Sequence, residues 1–306
     1  MFTFNADAPF LIFLHKCLYI CENMATFAAM NEFSLLMSVY NGEKAEHLTE
    51  CFDSIYRQTL PPAEIVLVED GPLSSDLYAA INYEQQRFPC LKRVPLPRNR
   101  GLGVALNRGL ENCSYDIVAR MDTDDICVPK RFETQLKFMQ QHPDVDVLSA
   151  WIAEFDDKPT NVIDVRNIPE QHADIYRFGK KRNPINHPAA MFRKQAVIRV
   201  GGYQPMPLFE DYYLWARMLQ QGYRFHNLQQ PLLLFRRSSE MIRRRGGLAY
   251  IHHEIYFFCK LHHIGYISWL TIVRNIGVRI FVRLLPNSLR SYIYKHQLRT
   301  ALLGCS

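Results

Sequence analysis

From Phe33 to Trp151 the apolar positions follow two periods in turn. Short runs dense in Val, Ile and Leu read as strands: Phe33 to Val39 (FSLLMSV), Glu64 to Val68 (EIVLV), Ile117 to Arg120 (IVAR) and Val145 to Trp151. Leu91 to Pro97 reads as a short edge strand, because its prolines cannot serve a central ladder. Between these runs the spacing is helical. Leu48, Phe52, Ile55 and Tyr56 share a face across Glu46 to Gln58, where Pro61-Pro62 ends the pattern, and Leu77, Ile81 and Phe88 do so across Ser75 to Phe88. A further helix is expected from about Lys130 to Gln141. Strand and helix in alternation predict an α/β fold with a mostly parallel sheet covered by helices on both faces.

Beyond Trp151 the pattern loosens. Asn183-Pro184-Ile185-Asn186-His187-Pro188 is a rigid polar turn before a strand at Ala189 to Phe192, and Arg199-Val200-Gly201-Gly202-Tyr203 is a second turn. Phe209-Glu210-Asp211 opens a helix over Tyr212 to Gln221, and Leu232 to Leu234 closes the sheet region. Two helical patterns follow, Tyr250 to Leu261 and Tyr266 to Leu285, in which arginines interleave with aromatic and aliphatic residues. The expected division is an N-terminal extension (1–32), a first half (33–151), a second half (152–237) and a basic helical tail (238–306).

At 306 residues and 48% hydrophobic, the chain can bury a large core. Eight cysteines without a CxxC pair point to a reduced, cytosolic protein, and the His252-His253 and His262-His263 pairs lack partners at zinc spacing. No run reaches the roughly 18 apolar residues of a membrane span. Pro9 to Ile20 is broken by His15 and Lys16 and is not expected to be a signal peptide. Charge, however, divides the chain. From Arg236 onward there are 12 Lys/Arg against 2 Asp/Glu, which leaves 24 against 28 before it. Such a tail calls for an anionic partner, a membrane surface or nucleic acid, or else it packs on the domain and shows a solvated basic face.

Candidate chemistry gathers where the strands end. Ile117 to Arg120 runs through Met121 into Asp122-Thr123-Asp124-Asp125, and Glu64 to Val68 into Glu69-Asp70. Ligands of α/β sheets bind beyond the strands' carboxyl ends. Strand alternation puts Asp122 and Asp124 on one side and turns Asp125 away. Adjacent acids repel, and a divalent cation offsets that cost; the alternative is a solvated cap on the helix that starts near Pro129. Tyr40, Glu43, Arg98, Asn99 and Arg100 belong to the same sheet edge, where a glycine turn at Gly101 leads into a helix suited to phosphate. Gly101-Leu102-Gly103 lacks the third glycine of a dinucleotide fingerprint and follows the third strand. Glu210 and Asp211 are either ordinary first-turn acids or a general base in a cleft.

SVYNGE, the helix with SIYRQ, IVLVEDGP, RNRGLGVALNRG, MDTDD, NHPAAMFR, GGY and FEDYYLWARM stand in order over Phe33 to Arg237. Together they make the chain resemble the family 2 glycosyltransferases of GT-A fold, with Glu69-Asp70 where two aspartates are commoner and Gly-Pro-Leu in place of Gly-Ser. The resemblance implies that Tyr40, Glu43 and Asp70 surround the nucleotide base, with Arg98 and the Gly101 turn near ribose and diphosphate. Asp122 and Asp124 would form a DxD motif, Asp122 toward the ribose and Asp124 on Mn2+ or Mg2+. Asp211 would be the base of an inverting transfer. His187, Gly202, Tyr203 and Glu210 would line the acceptor side. Within that family the resemblance is to enzymes extending GlcNAc-diphosphoundecaprenol on the cytoplasmic face of the inner membrane. It implies β-1,3 galactosyl transfer from UDP-Gal, with UDP-Glc the rival donor. Nucleic acid is not expected as a partner, because acids at the sheet edge repel a phosphate backbone.

Overall fold

The computed structural model describes residues 32–156, 158–237 and 247–284, so the expected N-terminal extension and the ends of the basic tail lie outside the described residues. The first half follows the predicted alternation: β1 (Ser34–Val39), α1 (Ala45–Tyr56), β2 (Glu64–Glu69), α2 (Ser75–Arg87), β3 (Leu91–Pro95), α3 (Leu102–Asn112), β4 (Ile117–Arg120), β5 (Ile126–Cys127), α4 (Arg131–Gln141) and β6 (Val147–Phe155). The second half adds β7 (Val162–Arg166), α5 (His172–Phe178), a 3-10 turn at His187–Ala189, β8 (Met191–Arg193), α6 (Lys194–Arg199), α7 (Glu210–Gln220) and β9 (Phe225–Arg236). Two helices of the tail are described, α8 (Gly247–His263) and α9 (Trp269–Leu284).

All the described strands join one nine-stranded sheet, ordered β3-β2-β1-β4-β8-β6-β9-β5, with β7 paired to β6 farther along the edge that β8 begins. β3, β2, β1 and β4 are mutually parallel, and β8 reverses direction between β4 and β6. β9 lies parallel to β6. The two halves therefore share a sheet, and the expected boundary at 151/152 falls inside β6.

Continuous apolar strands are what a sheet covered on both faces demands. Leu35, Met37, Ile65, Leu67 and Ala119 pack on one side against α1, α2 and α4, where Phe52, Ile81 and Phe132 are buried. Leu36, Val66, Val68 and Val118 face the other way, onto α3 and a layer built on α7 and α8. β7, α5 and most of β9 escape the periodicity reading. β7 is a largely exposed edge strand, and Gln229, Gln230 and Pro231 interrupt the apolar pattern of β9.

α3 lies unusually close to the sheet. A Cβ built on Gly109 falls 2.2 Å from Leu36 Cδ1 and 2.9 Å from Val68 Cγ2. Gly109→Val is therefore expected to lower stability by about 1–3 kcal/mol, read as a lower urea midpoint at unchanged m-value.

Candidate functional site

The acidic segment leaves the sheet at Arg120. A strand placed there carries its side chains alternately, but Met121 to Asp125 is not strand, and β5 begins only at Ile126. Alternation consequently fails, and Asp125 does not turn away as expected. It is fully buried, one oxygen accepts from the Arg236 backbone N–H at 2.9 Å, and the other has no hydrogen-bond partner. Asp122, Asp124 and Asp125 each bring a carboxylate oxygen within 4.8 Å of the others. Nor do these acids cap a helix: α4 starts at Arg131 and has no side-chain cap.

Oxygen donors crowded this tightly, one of them buried and unpartnered, fit a divalent cation. The crowding shows in the acidities. Burial, with Asp122 and Glu43 nearby, pushes Asp124 up to about 7, and burial, with Asp124 and Asp122 nearby, raises Asp125 well above the carboxylate range. Glu43 reaches this cluster from the turn after β1, where its carboxylate accepts from the Thr123 hydroxyl at 3.4 Å. Tyr40, on the same turn, is 38% exposed and packs over Gly42.

Arg120 is the residue that the apolar run concealed. Its side chain is buried, and it donates to both oxygens of Asp122, one bond being 2.8 Å long. Arg131, also buried, donates to the Arg120 carbonyl at 2.6 Å and fixes the end of β4 from below. Asp70, expected at the base, has both oxygens engaged within the protein. They accept from the backbone N–H groups of Arg100 (2.7 Å) and Gly101 (3.0 Å), and so hold the Arg98–Gly101 turn in place. Gly71 permits this approach, with φ +90° and the Asn99 nitrogen 2.5 Å from where a Cβ would stand. Arg98 and Arg100 remain exposed on that turn.

The second wall comes from α7 and the turn before it. Gly202, at φ +62°, presses its backbone on Asn107 of α3. Asn107 accepts from the Tyr203 N–H (2.8 Å) and donates to its carbonyl (2.7 Å). Arg217 of α7 donates to the carbonyls of Val200 and Gly202 from the other side. Tyr203 and His187 are both buried and share a 2.8 Å hydrogen bond between Oη and Nε2. Burial, with Arg120 nearby, holds the His187 imidazole well below its ordinary pKa, so it is neutral. This pair forms a floor rather than an open wall.

Asp211 lies in the first turn of α7. The N-cap residue Phe209 makes no side-chain cap bond, and the Asp211 carboxylate accepts instead from Asn183 Nδ2 at 2.6 Å. Burial raises its pKa, and burial together with Asp211 raises that of Glu210. Glu210 also closes on α3: a Cβ on Gly103 would lie 3.4 Å from its Cγ. Asn183 went unassigned in the sequence, although its Asn-Pro dipeptide marks the turn that carries it.

Arg120→Met removes the only charge paired with Asp122 among the described residues. A loss of about 1–3 kcal/mol is expected, discounted because Asp122 is partly exposed. Carboxylates left without the guanidinium bind protons more readily when folded. The deficit relative to the parent should thus shrink as pH falls and grow as it rises, in urea unfolding across pH 5 to 8.

With this geometry in place, comparison with known proteins is informative. Residues 34–201 match the family model described as "Glycosyl transferase family 2". The UDP-Gal:alpha-D-GlcNAc-diphosphoundecaprenol beta-1,3-galactosyltransferase of Escherichia coli is 41% identical over 268 residues, spanning 88% of this chain and 97% of that protein. The amylovoran biosynthesis glycosyltransferase AmsE of Erwinia amylovora is 40% identical over 263 residues, spanning 86% and 98%. Among solved structures, S. aureus TarS 1-349 in complex with UDP-GlcNAc superposes with a TM-score of 0.60 at 17% identity, covering 90% of this chain and 76% of that one, a likeness of fold. The chain belongs to glycosyl transferase family 2 and is a glycosyltransferase of GT-A fold.

Proposed function

We propose that this enzyme transfers galactose from UDP-Gal to GlcNAc-diphosphoundecaprenol, forming a β-1,3 linkage with inversion, in the assembly of an O-antigen or related surface polysaccharide. The observation carrying this reading is the 41% identity with the E. coli galactosyltransferase over 97% of that protein's length. In this reading residues 33–151 hold the donor and 152–237 the acceptor.

Tyr40, Glu43 and Arg98 surround the nucleotide, and Asp70 acts on it indirectly, by gripping the Arg100 and Gly101 N–H groups of the turn that carries Arg98. Asp124, with Asp122 and Asp125, would hold Mn2+ or Mg2+. When bound, the ion neutralises charge on the departing nucleoside diphosphate. Asp211 accepts the proton from the acceptor hydroxyl as the oxygen attacks the anomeric carbon, while Asn183 fixes the aspartate's second oxygen. His187 and Tyr203 support the acceptor side from beneath, and Glu210 with Gly202 shapes its rim. In this reading the enzyme works at the cytoplasmic surface of the inner membrane, where a lipid-linked acceptor would be met; no described helix is long and apolar enough to cross a membrane.

The test is radiolabelled transfer to a synthetic GlcNAc-diphospho-lipid in Mn2+, with UDP-Gal and UDP-Glc in separate reactions. Product from UDP-Gal is expected; product from UDP-Glc alone reassigns the sugar. Asp211→Asn should lose transfer by about 10²-fold or more yet keep UDP affinity. Because burial raises the Asp211 pKa, its ionised form costs stability that is lost as pH rises through that pKa. The Asn variant should therefore melt at or above the parent's Tm at neutral pH. For the same reason parental transfer should begin to fall on acidification above the ordinary aspartate range. Asp124→Ala should abolish Mn2+-dependent UDP binding in calorimetry, and unchanged affinity would remove Asp124 from the metal.

A further inference from the structure

The α8–α9 hairpin has two different faces. One packs on the catalytic domain. Phe257 stacks on Phe209 with ring centroids 4.7 Å apart, Tyr266 Oη donates to the Tyr176 carbonyl at 3.0 Å, and Asn275 Nδ2 donates to the Lys180 carbonyl at 2.9 Å. Gly179 leaves room for the clamp, since a Cβ there would fall 2.2 Å from Tyr266 Oη. The packing half of the sequence expectation is therefore met, but it accounts for only one side of the hairpin.

The other face is apolar and open. At the start of α9, Trp269, Leu270 and Val273 are 60%, 78% and 56% exposed, and Arg274 is exposed beside them. Ile255 and Tyr256 on α8 are also exposed. The single acid of residues 247–284, Glu254, is buried, so the hairpin presents cations and no carboxylate. It is followed by a chain segment that carries further Arg and Lys and no acid. Exposed Trp and Leu flanked by basic residues on a helix too charged to cross a bilayer match the chemistry of an anionic lipid surface.

We propose that α9 docks this enzyme on an anionic bilayer through Trp269, Leu270 and Val273, with Arg274 meeting the headgroups. The buried side of the same hairpin grips Tyr176, Gly179 and Lys180. Three residues beyond Lys180 stands Asn183, the hydrogen-bond donor to Asp211. The dock and the base-orienting loop are thus parts of one packed unit, and a surface-bound enzyme carries its acceptor side on the element that meets the lipid. The use of such a dock rests on the lipid-linked acceptor proposed above; its existence does not.

The experiment is flotation of the full chain with phosphatidylethanolamine–phosphatidylglycerol vesicles, and with phosphatidylcholine vesicles for comparison. The parent should float with the anionic vesicles, less with the neutral ones, and less at high salt. Leu270→Glu/Val273→Glu should lower the bound fraction about tenfold with Tm unchanged, because both side chains are already in water. The same variant should keep transfer to a water-soluble short-chain acceptor and lose it on a vesicle-embedded one. Co-flotation of the variant at the parent's level overturns the proposal. So does a parent that ignores vesicles but forms a concentration-dependent dimer abolished by the variant, which would make the face a contact between copies. Failure of every transfer assay, with flotation intact, would count against the acceptor reading and leave the dock standing.

Discussion

Arg120 is a buried cation with Asp122 bonded to it and with Asp124, Asp125 and Asp211 in its field. Carboxylates brought this close in a desolvated edge repel one another, and one guanidinium cannot neutralise all of them. The rest of the site is arranged around that imbalance. Arg131 secures the carbonyl of Arg120, His187 is kept neutral beside it, and Asp211 relies on an amide, not a second cation, for its hydrogen bond. A site that remains short of positive charge is one prepared to receive it, and the unpartnered Asp125 oxygen marks where the shortage is greatest.

Precision in the loops comes from side chains that grip backbone. Asp70 holds two N–H groups of the turn after β3, Asn107 both polar groups of Tyr203, and Arg217 two carbonyls of the turn before it. Each grip spans two elements of the sheet-and-helix frame, so the loops inherit the rigidity of the frame. Gly71 and Gly202 are required where backbone meets backbone or side chain at less than a Cβ's distance and φ is positive.

The frame of the first half was legible because strands buried on both faces and helices buried on one leave different periods in the sequence. The acids at the strand ends were legible for the same reason, since they interrupt those periods. Arg120 was not, because a single charge at the end of an apolar run reads as the run's margin; only the structure shows it turned inward. Asp125 departs from strand alternation because the strand ends at Arg120, before the acids begin. β7 and α5 carry too little buried surface to pattern their sequences, and β9 is split by Gln229-Gln230-Pro231. Asn183 depends on a contact with a residue 28 positions away, which no local pattern announces.

The bond from the Arg236 N–H to Asp125 joins residues 111 positions apart, and the Arg236 side chain also donates to the Asp124 carbonyl and pairs with Glu50. The acidic cluster is thus closed by the last residue of β9, the last strand among the described residues. During synthesis its carboxylates emerge from the ribosome long before their latch. A nascent chain holds the sequence of the parallel strands early, yet the acidic edge meets its latch only once β9 has been delivered beside β6. Closure of the acidic edge is thereby tied to completion of the sheet.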